Sequence, residues 1–151
     1  MAQSVRRAGP GDADAVAQLL HDFNREFDDP TPSRPMLAER VRQLLEGGDT
    51  VILLVGDAPD GVAVLRFRLA IWSSGCECYL AELYVVPSRR GVGLGRALMM
   101  ASLQEARDRG ADTIDLGTDE TDVVARRLYE SLGFSNREGG GSVMYVYERE
   151  L

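Results

Sequence analysis

Residues 79–98 read YLAELYVVPSRRGVGLGRAL, and no other segment of the chain is as informative. Residues 79–86 form an apolar run rich in aromatic and β-branched side chains, which predicts a strand that Pro87 ends. Glycines follow at positions 91, 93 and 95, and a helix is predicted over about residues 93–109. Glycine lets backbone N–H groups turn towards one point, and a helix N-terminus adds positive potential there. The order strand, glycine loop, helix therefore predicts a site for phosphate oxygens.

Two common phosphate-binding patterns do not fit this loop. A dinucleotide fingerprint requires Gly-x-Gly-x-x-Gly, but its third position would be Arg96 or Leu98. A nucleoside-triphosphate loop ends in Gly-Lys-Ser/Thr, which is absent from the sequence. The pattern Arg/Gln-x-x-Gly-x-Gly/Ala fits residues 90–95, RGVGLG, at every position. The alternative is a glycine turn that only joins the strand to the helix.

This pattern resembles the signature of the GNAT superfamily of N-acetyltransferases, whose loop binds the pyrophosphate of coenzyme A. A second segment, residues 122–134, reads DVVARRLYESLGF. It is similar to a later helix of the superfamily, Asn-x-x-Ala-x-x-x-Tyr-x-x-x-Gly-Phe, and matches it at Ala125, Tyr129, Gly133 and Phe134. Asp122 stands where the superfamily often has asparagine, and an ionised carboxylate accepts hydrogen bonds but cannot donate one.

The resemblance implies a single domain over residues 1–151 with an α/β (α+β) fold. The expected architecture is a mixed, mostly antiparallel central sheet of six to seven strands with helices on both faces, including a splayed strand pair that holds coenzyme A. The implied reaction moves an acetyl group from acetyl-CoA directly to a primary amine. Carried over by position, the coenzyme-binding residues are Leu83, Tyr84, Val85, Arg90, Gly91, Val92, Gly93, Leu94, Gly95, Arg96, Asp122 and Ala125.

Two residues are candidates for proton transfer. Tyr129 occupies the position of the superfamily's usual general acid, and the alternative for it is a core tyrosine with its hydroxyl at the rim. Glu82 is a carboxylate within an otherwise apolar strand, which suggests a position facing a cleft. It would accept the amine proton, directly or through water, or bind a cationic substrate; the alternative is a charge facing solvent. For Asp122, capping of its helix is an equally good interpretation.

The acceptor is predicted from an acidic cluster near the end of the first helix: Asp22, Glu26, Asp28 and Asp29, with Glu82 added. Residues 23–29, FNREFDD, also resemble a stretch of the aminoglycoside 3-N-acetyltransferases of the same superfamily. The favoured acceptor is therefore a cationic small-molecule amine, an aminoglycoside antibiotic. The alternatives are protein N-termini or lysines, polyamines, amino acids, a non-catalytic acetyl-CoA-binding module, or a solvated helix end without a binding role.

Composition narrows the classes further. The net charge is −7, with 44% apolar and 27% charged residues, which disfavours nucleic acid as a partner. No apolar run has the roughly 20 residues of a membrane span, and the N-terminus lacks a secretory pattern, so a cytoplasmic protein is expected. Cys76, Cys78 and the distant His21 are too few for a metal site, so no metal is predicted and the cysteines are expected to be reduced. A homodimer is left open.

The rest of the pattern predicts a mixed sheet with helices on both faces. Strands are expected at residues 3–8, 50–55, 62–72, 113–116 and 143–148, the fourth of them buried. Helices are expected from Asp12, as a cap, to about Arg25, at about 37–47 and at 122–132.

Overall fold

The computed structural model describes residues 3–151. The chain divides into two compact units, of which the first ends at Asp115 and the second comprises Leu116–Leu151. A single domain over the whole chain remains a prediction. The helices and strands are β1 (Val5–Arg7), α1 (Ala13–Glu26), α2 (Arg34–Gly47), β2 (Thr50–Val55), β3 (Gly61–Leu69), β4 (Cys76–Val85), α3 (Leu94–Asp108), β5 (Ala111–Asp115) and α4 (Val123–Ser131).

The first unit contains one sheet in the order β1-β2-β3-β4-β5. The first four strands pair antiparallel and β5 pairs parallel with β4. A parallel neighbour requires a crossover, and α3 provides it between β4 and β5. The mixed, mostly antiparallel sheet predicted from the sequence is therefore confirmed.

Helices cover both faces of this sheet. Alternate residues of each strand point to opposite sides, so each strand contributes side chains to both helix layers. On β3, Val62 and Val64 belong to a buried core shared with α1 and α2. The intervening residues point towards α3: a Cβ added at Gly61 would lie 3.2 Å from the side chain of Leu98. Each helix contributes an apolar stripe to its own layer, and the sheet lies between the layers.

The helix ends follow local chemistry. Ser33 precedes α2 and its hydroxyl accepts from the N–H of Met36 at 3.4 Å, while Gly48 ends the helix at φ +80°. Asp12 precedes α1 as predicted, but its carboxylate does not cap that helix. It accepts instead from the Gly9 N–H at 2.8 Å and from the Arg6 guanidinium. The Asp12 carboxylate is therefore occupied by the Gly9 N–H and the Arg6 guanidinium and does not cap α1.

The predicted sheet of six to seven strands is wrong in its count, since residues 3–151 form five. Residues 143–148, VMYVYE, have the apolar and aromatic composition of a strand, yet their only pairing in the described chain is an isolated bridge between Arg137 and Val143. A segment of such composition becomes a strand only when a neighbour pairs with its backbone. Strand β5 was also expected to be buried, but Asp112, Thr113 and Asp115 are exposed because it is the last strand of its sheet.

Two smaller expectations also have outcomes. Strand β3 ends at Leu69, which pairs with Cys76, so the exposed residues Ile71 and Trp72 lie in the turn. Cys76 and Cys78 are free thiols, as predicted. None of the helices described for residues 3–151 is long and apolar enough to cross a membrane.

Candidate active site

Strand β4 is longer than its pairing with β5. The parallel ladder joins Cys76–Tyr79 of β4 to β5 and then stops, while β4 continues to Val85. Within residues 3–151, positions 80–85 have no partner strand on the β5 side. Their outward backbone groups are therefore available to an extended ligand, as at any unpaired sheet edge. This divergence confirms the splayed strand pair that was expected.

A β-bulge interrupts β4 at the same point. Val64 of β3 pairs with Glu82 and the next residue, Leu65, pairs with Leu80, which leaves Ala81 as an extra residue. An extra residue changes which face the following side chains point to. Tyr79 and Glu82 consequently point to the same face of the sheet although three residues separate them.

Glu82 lies on the face covered by α1 and α2, because its cross-strand partner Val64 belongs to that core. Its side chain remains accessible to solvent. Neighbouring protein atoms nevertheless desolvate the carboxyl and raise the pKa of Glu82 above its ordinary value. A raised pKa makes a carboxylate a stronger base, and solvent access lets a proton reach it or leave it.

A shallow cavity of about 260 Å³ lies on the sheet next to this position. Arg66 pairs with Tyr79 and Arg68 with Glu77, so these four side chains continue the face that carries Glu82. Arg68 and Glu77 form an ion pair at 2.5 Å. The lining residues are Arg66, Phe67, Arg68, Glu77, Cys78, Tyr79 and Asp115. The cavity thus contains charges of both signs.

Sequence reasoning missed Arg66 and Arg68, although a signal was present. Both interrupt the apolar run of β3 at alternate positions, with buried Phe67 between them. Two cations at a spacing of two residues in a strand lie on one face. The sequence-based prediction placed the acceptor site at the acidic end of α1 instead.

The glycine loop has the backbone geometry of an anion site. Gly91 has φ +78° and Gly93 has φ +91°, a region that favours glycine, and α3 begins directly afterwards at Leu94. Apart from the adjacent residues, no part of the described chain lies within 4 Å of a Cβ built on either glycine. The N–H groups at the start of α3 precede its first internal hydrogen bond, from Ala97 to Gly93. The loop therefore offers N–H groups and the positive end of a helix dipole on an open surface.

Arg90, the first residue of the loop pattern, is held by protein groups. Its guanidinium donates to both carboxylate oxygens of Glu26 at 2.8 Å, and its Nε donates to the Val85 carbonyl at 2.9 Å. The pairing with Arg90 lowers the pKa of Glu26. The predicted phosphate-binding arginine and one predicted acceptor-binding carboxylate thus contact each other.

The structure separates the other acidic candidates by environment. Asp22 accepts from the amide of Gln18 at 2.7 Å. Asp28 and Asp29 follow the end of α1 and are exposed, with Asp28 at φ +54°. Among the predicted pantetheine-pairing residues, Tyr84 is buried, whereas Leu83 and Val85 are half-buried.

The second unit contains Asp122, Ala125 and Tyr129. Asp122 caps α4, because its carboxylate accepts from the Ala125 N–H at 3.1 Å. At the other end, Gly133 has φ +91° and its N–H donates to the Glu130 carbonyl. The Phe134 N–H donates to the Tyr129 carbonyl, which completes a Schellman motif.

This motif explains the spacing Tyr-x-x-x-Gly-Phe in physical terms. Glycine is needed for the left-handed residue after the helix, and the residue after it packs on the one that its N–H reaches. Tyr129 and Phe134 are those two residues, with ring centroids 6.0 Å apart. Tyr129 is half-buried, and desolvation, with a smaller contribution from Asp122, raises the pKa of its phenol. It therefore stays protonated at neutral pH, as a proton donor must.

Comparison with known proteins agrees with these features. The model of the acetyltransferase (GNAT) family matches residues 15–134. A mycothiol acetyltransferase of Thermobispora bispora is 48% identical over 66 residues, which are 42% of this chain and 22% of that protein. An aminoglycoside N(6')-acetyltransferase type 1 of Stenotrophomonas maltophilia is 30% identical over 142 residues, covering 91% of this chain and 89% of that one.

A solved structure is also similar along nearly the whole chain. It is a protein of Arthrobacter sp. FB24 that has been assigned to the acetyltransferases, with a TM-score of 0.92 and 50% identity. The match covers 98% of this chain and 96% of that one. The present chain matches only about a fifth of the length of the Thermobispora bispora mycothiol acetyltransferase. The chain belongs to the acetyltransferase (GNAT) family.

Proposed function

We propose that this chain transfers the acetyl group of acetyl-CoA directly to a primary amine of a cationic small molecule, best represented by an aminoglycoside. The observation that carries the proposal is the open edge of β4 beyond Tyr79, which includes Glu82 and is followed by the glycine loop. An extended thiol-ended arm fits such an edge, and a pyrophosphate fits the loop.

The residues present suit coenzyme A. The backbone groups of Leu83, Tyr84 and Val85 would pair with the amides of its pantetheine arm. The loop amides of residues 91–95 and the start of α3 would hold the pyrophosphate. Coenzyme A supplies the acetyl group as a thioester, which is reactive enough for transfer without a covalent enzyme intermediate.

Two proton transfers remain for the protein's side chains. The attacking amine must lose a proton, and Glu82 accepts it directly or through water, which its raised pKa favours. The thiolate that leaves needs a proton, and the Tyr129 phenol donates it. The products are an N-acetylated amine and free coenzyme A, so one proton leaves the amine and one reaches the sulfur.

An aminoglycoside is favoured by two considerations. The relative from Stenotrophomonas maltophilia that matches over nearly its full length carries that activity in its name. Glu82, Asp28 and Asp29 are exposed carboxylates that would attract a polycation. The experiment is an acceptor panel of aminoglycosides, polyamines, amino acids and peptides, with release of coenzyme A thiol as the readout. Turnover with aminoglycosides but not with the other classes is expected, and turnover confined to peptides or amino acids would overturn this choice.

A second acceptor class is favoured by the cavity on β3 and β4. Arg66 projects into it without an ion-pair partner in the described part of the chain, and a guanidinium matches a carboxylate well. An amino acid or a peptide presents an amine and a carboxylate together. Arg66→Ala would raise the KM of such an acceptor, while an aminoglycoside would be used equally well or better.

A further inference from the structure

Glu26 and Arg90 join two parts of the first unit that are far apart in sequence. Glu26 is the last residue of α1, and Arg90 begins the glycine loop. The two planar groups meet side by side through two hydrogen bonds of 2.8 Å each. This bidentate arrangement fixes the orientation of the guanidinium as well as its position.

The same guanidinium also lies against the end of β4. Its Nε donates to the Val85 carbonyl at 2.9 Å, and its carbon lies 5.5 Å from the centre of the Tyr84 ring. The Tyr84 ring stacks on Phe23 of α1, with centroids 5.1 Å apart and planes 17° apart. Helix α1, strand β4 and the loop therefore meet at one guanidinium.

The exposure of this pair indicates what it contributes. The Glu26 side chain is 28% exposed and that of Arg90 is 44% exposed, and ion pairs so accessible to water add little to global stability. What the pair contributes is a fixed orientation of the Arg90 guanidinium. The Val85 carbonyl and the Tyr84 ring, which that guanidinium contacts, both lie in the strand segment that is not paired with β5. By orienting Arg90, Glu26 therefore also fixes the C-terminal end of β4, where the glycine loop follows.

We propose that Glu26 is a positioning residue for the donor side of the site. Through Arg90 it sets the end of β4 and the start of the glycine loop, and so it couples helix α1 to the binding of acetyl-CoA. This inference rests on the proposed role of residues 83–85 and 90–96 in coenzyme binding. It assigns Glu26 to the coenzyme side of the reaction, whereas its place in the acidic cluster predicts a contact with the acceptor.

The test compares Glu26→Gln with wild type. Glutamine keeps the size of the side chain and one oxygen but loses the charge and the bidentate contact. We expect the Kd for coenzyme A and the KM for acetyl-CoA to rise about fivefold, within the range seen for residues in contact. The kcat at saturating acetyl-CoA and the KM for the acceptor stay within about twofold. Glu26→Asp, which keeps the charge, recovers part of the affinity.

Glu105→Gln is the matched control. Glu105, in the last turns of α3, forms an equally close bidentate pair with Arg7, at 2.6 and 2.7 Å, and Arg7 lies in β1, which β2 and β3 separate from β4. This variant should leave both constants unchanged. A similar loss in both variants would mean that Glu26 is only structural. A raised acceptor KM with unchanged coenzyme A affinity would make Glu26 an acceptor-binding residue, and either result overturns the proposal.

A double-mutant comparison tests whether Glu26 acts through Arg90. Arg90→Gln retains an N–H donor for the Val85 carbonyl but has no guanidinium. Glu26→Gln should have no further effect on coenzyme affinity in that background, and additive losses would contradict the coupling. Binding of coenzyme A to the wild type separates this inference from the proposed function. Wild type and Glu26→Gln with equal affinity would remove only the role of Glu26. Undiminished affinity in a Gly93→Val variant would remove the loop assignment itself.

Discussion

The ring of Phe134 lies edge-on against the ring of Tyr129, and the Phe134 N–H donates to the Tyr129 carbonyl at 3.1 Å. One residue thus contacts the proposed acid both through its backbone and through its side chain. Gly133 makes this possible, because only a left-handed residue after α4 brings the chain back to Tyr129. The left-handed end of α4 consequently helps to fix the orientation of the Tyr129 phenol.

Tyr129→Phe should lower kcat by about 100-fold, since general acid catalysis contributes on that scale, and should leave the KM for acetyl-CoA nearly unchanged. Because the pKa of Tyr129 is raised, the wild-type kcat should show no alkaline decline below about pH 10. Tyr145→Phe, at an exposed tyrosine of the same unit, is the control. Steady-state kinetics across pH measure all three, and unchanged turnover in the first variant would remove Tyr129 from the mechanism.

Gly133→Ala should destabilise the protein by about 1–2 kcal/mol, because alanine is strained at positive φ, and should also lower kcat by displacing Tyr129. A Cβ there meets no atom within 4 Å, so backbone strain is the whole effect. Gly117→Ala is a control in the same unit, also without a neighbour within 4 Å and without positive φ. Urea unfolding and kcat together test this, and equal behaviour of the two variants would count against the helix-end argument.

Glu82→Gln should lower kcat/KM by about 100-fold at neutral pH and abolish the acidic limb of the pH profile. A base must be ionised, so wild-type activity falls as pH drops through the raised pKa of Glu82. Glu77→Gln is the matched control, since Glu77 lies on the same strand and face but pairs with Arg68. A Glu82→Gln profile that keeps the wild-type limb would leave Glu82 without a catalytic role.

The same substitution should raise the thermal midpoint at pH 8. A carboxyl whose pKa is raised by folding is less favourable in its ionised form in the folded state, so ionisation lowers stability above that pKa. Below about pH 4, the ordinary pKa of glutamate, both states bind the proton and the difference disappears. Thermal unfolding at pH 8 and pH 4 measures this, and a Glu82→Gln midpoint at or below wild type at pH 8 would refute it.

Asp122→Ala should destabilise α4 by about 1 kcal/mol, because it removes the acceptor of the Ala125 N–H. Asp122→Asn should be nearly neutral, since asparagine caps helices equally well. Thermal unfolding and the KM for acetyl-CoA separate the two roles discussed for this residue. A rise in KM for acetyl-CoA in the asparagine variant, with unchanged stability, would show that Asp122 does more than cap.

The elements of the fold were largely predictable because their signals are local. Thr50–Val55 is a strand with the predicted bounds, since its run of β-branched and apolar residues strongly favours one. The helix after the glycine loop begins within one residue of its predicted start, because Gly93 marks it. Residues 143–148 show the limit of such reasoning. Their apolar and aromatic composition favours a strand, but a strand also needs a neighbour that pairs with its backbone, and the segment itself does not specify one.

The candidate site was predictable where backbone rules apply and not where side chains meet across the chain. The glycine loop and the spacing of Tyr129, Gly133 and Phe134 follow from φ and helix geometry. The pairing of Arg90 with Glu26 joins residues 64 positions apart, so only the folded chain reveals it. The bulge that turns Glu82 towards the face of Tyr79 was hidden for the same reason.

The extra residue Ala81 makes the length of this segment a constraint on the evolution and engineering of the protein. Cys78 and Leu80 before it, and Tyr84 after it, are all buried, so neither half of the strand can rotate to compensate for a deletion. Removing one residue would turn either the carboxylate or a buried side chain to the opposite side. Variation here should therefore proceed by substitution, and a library with single deletions between positions 80 and 82 should yield no active members.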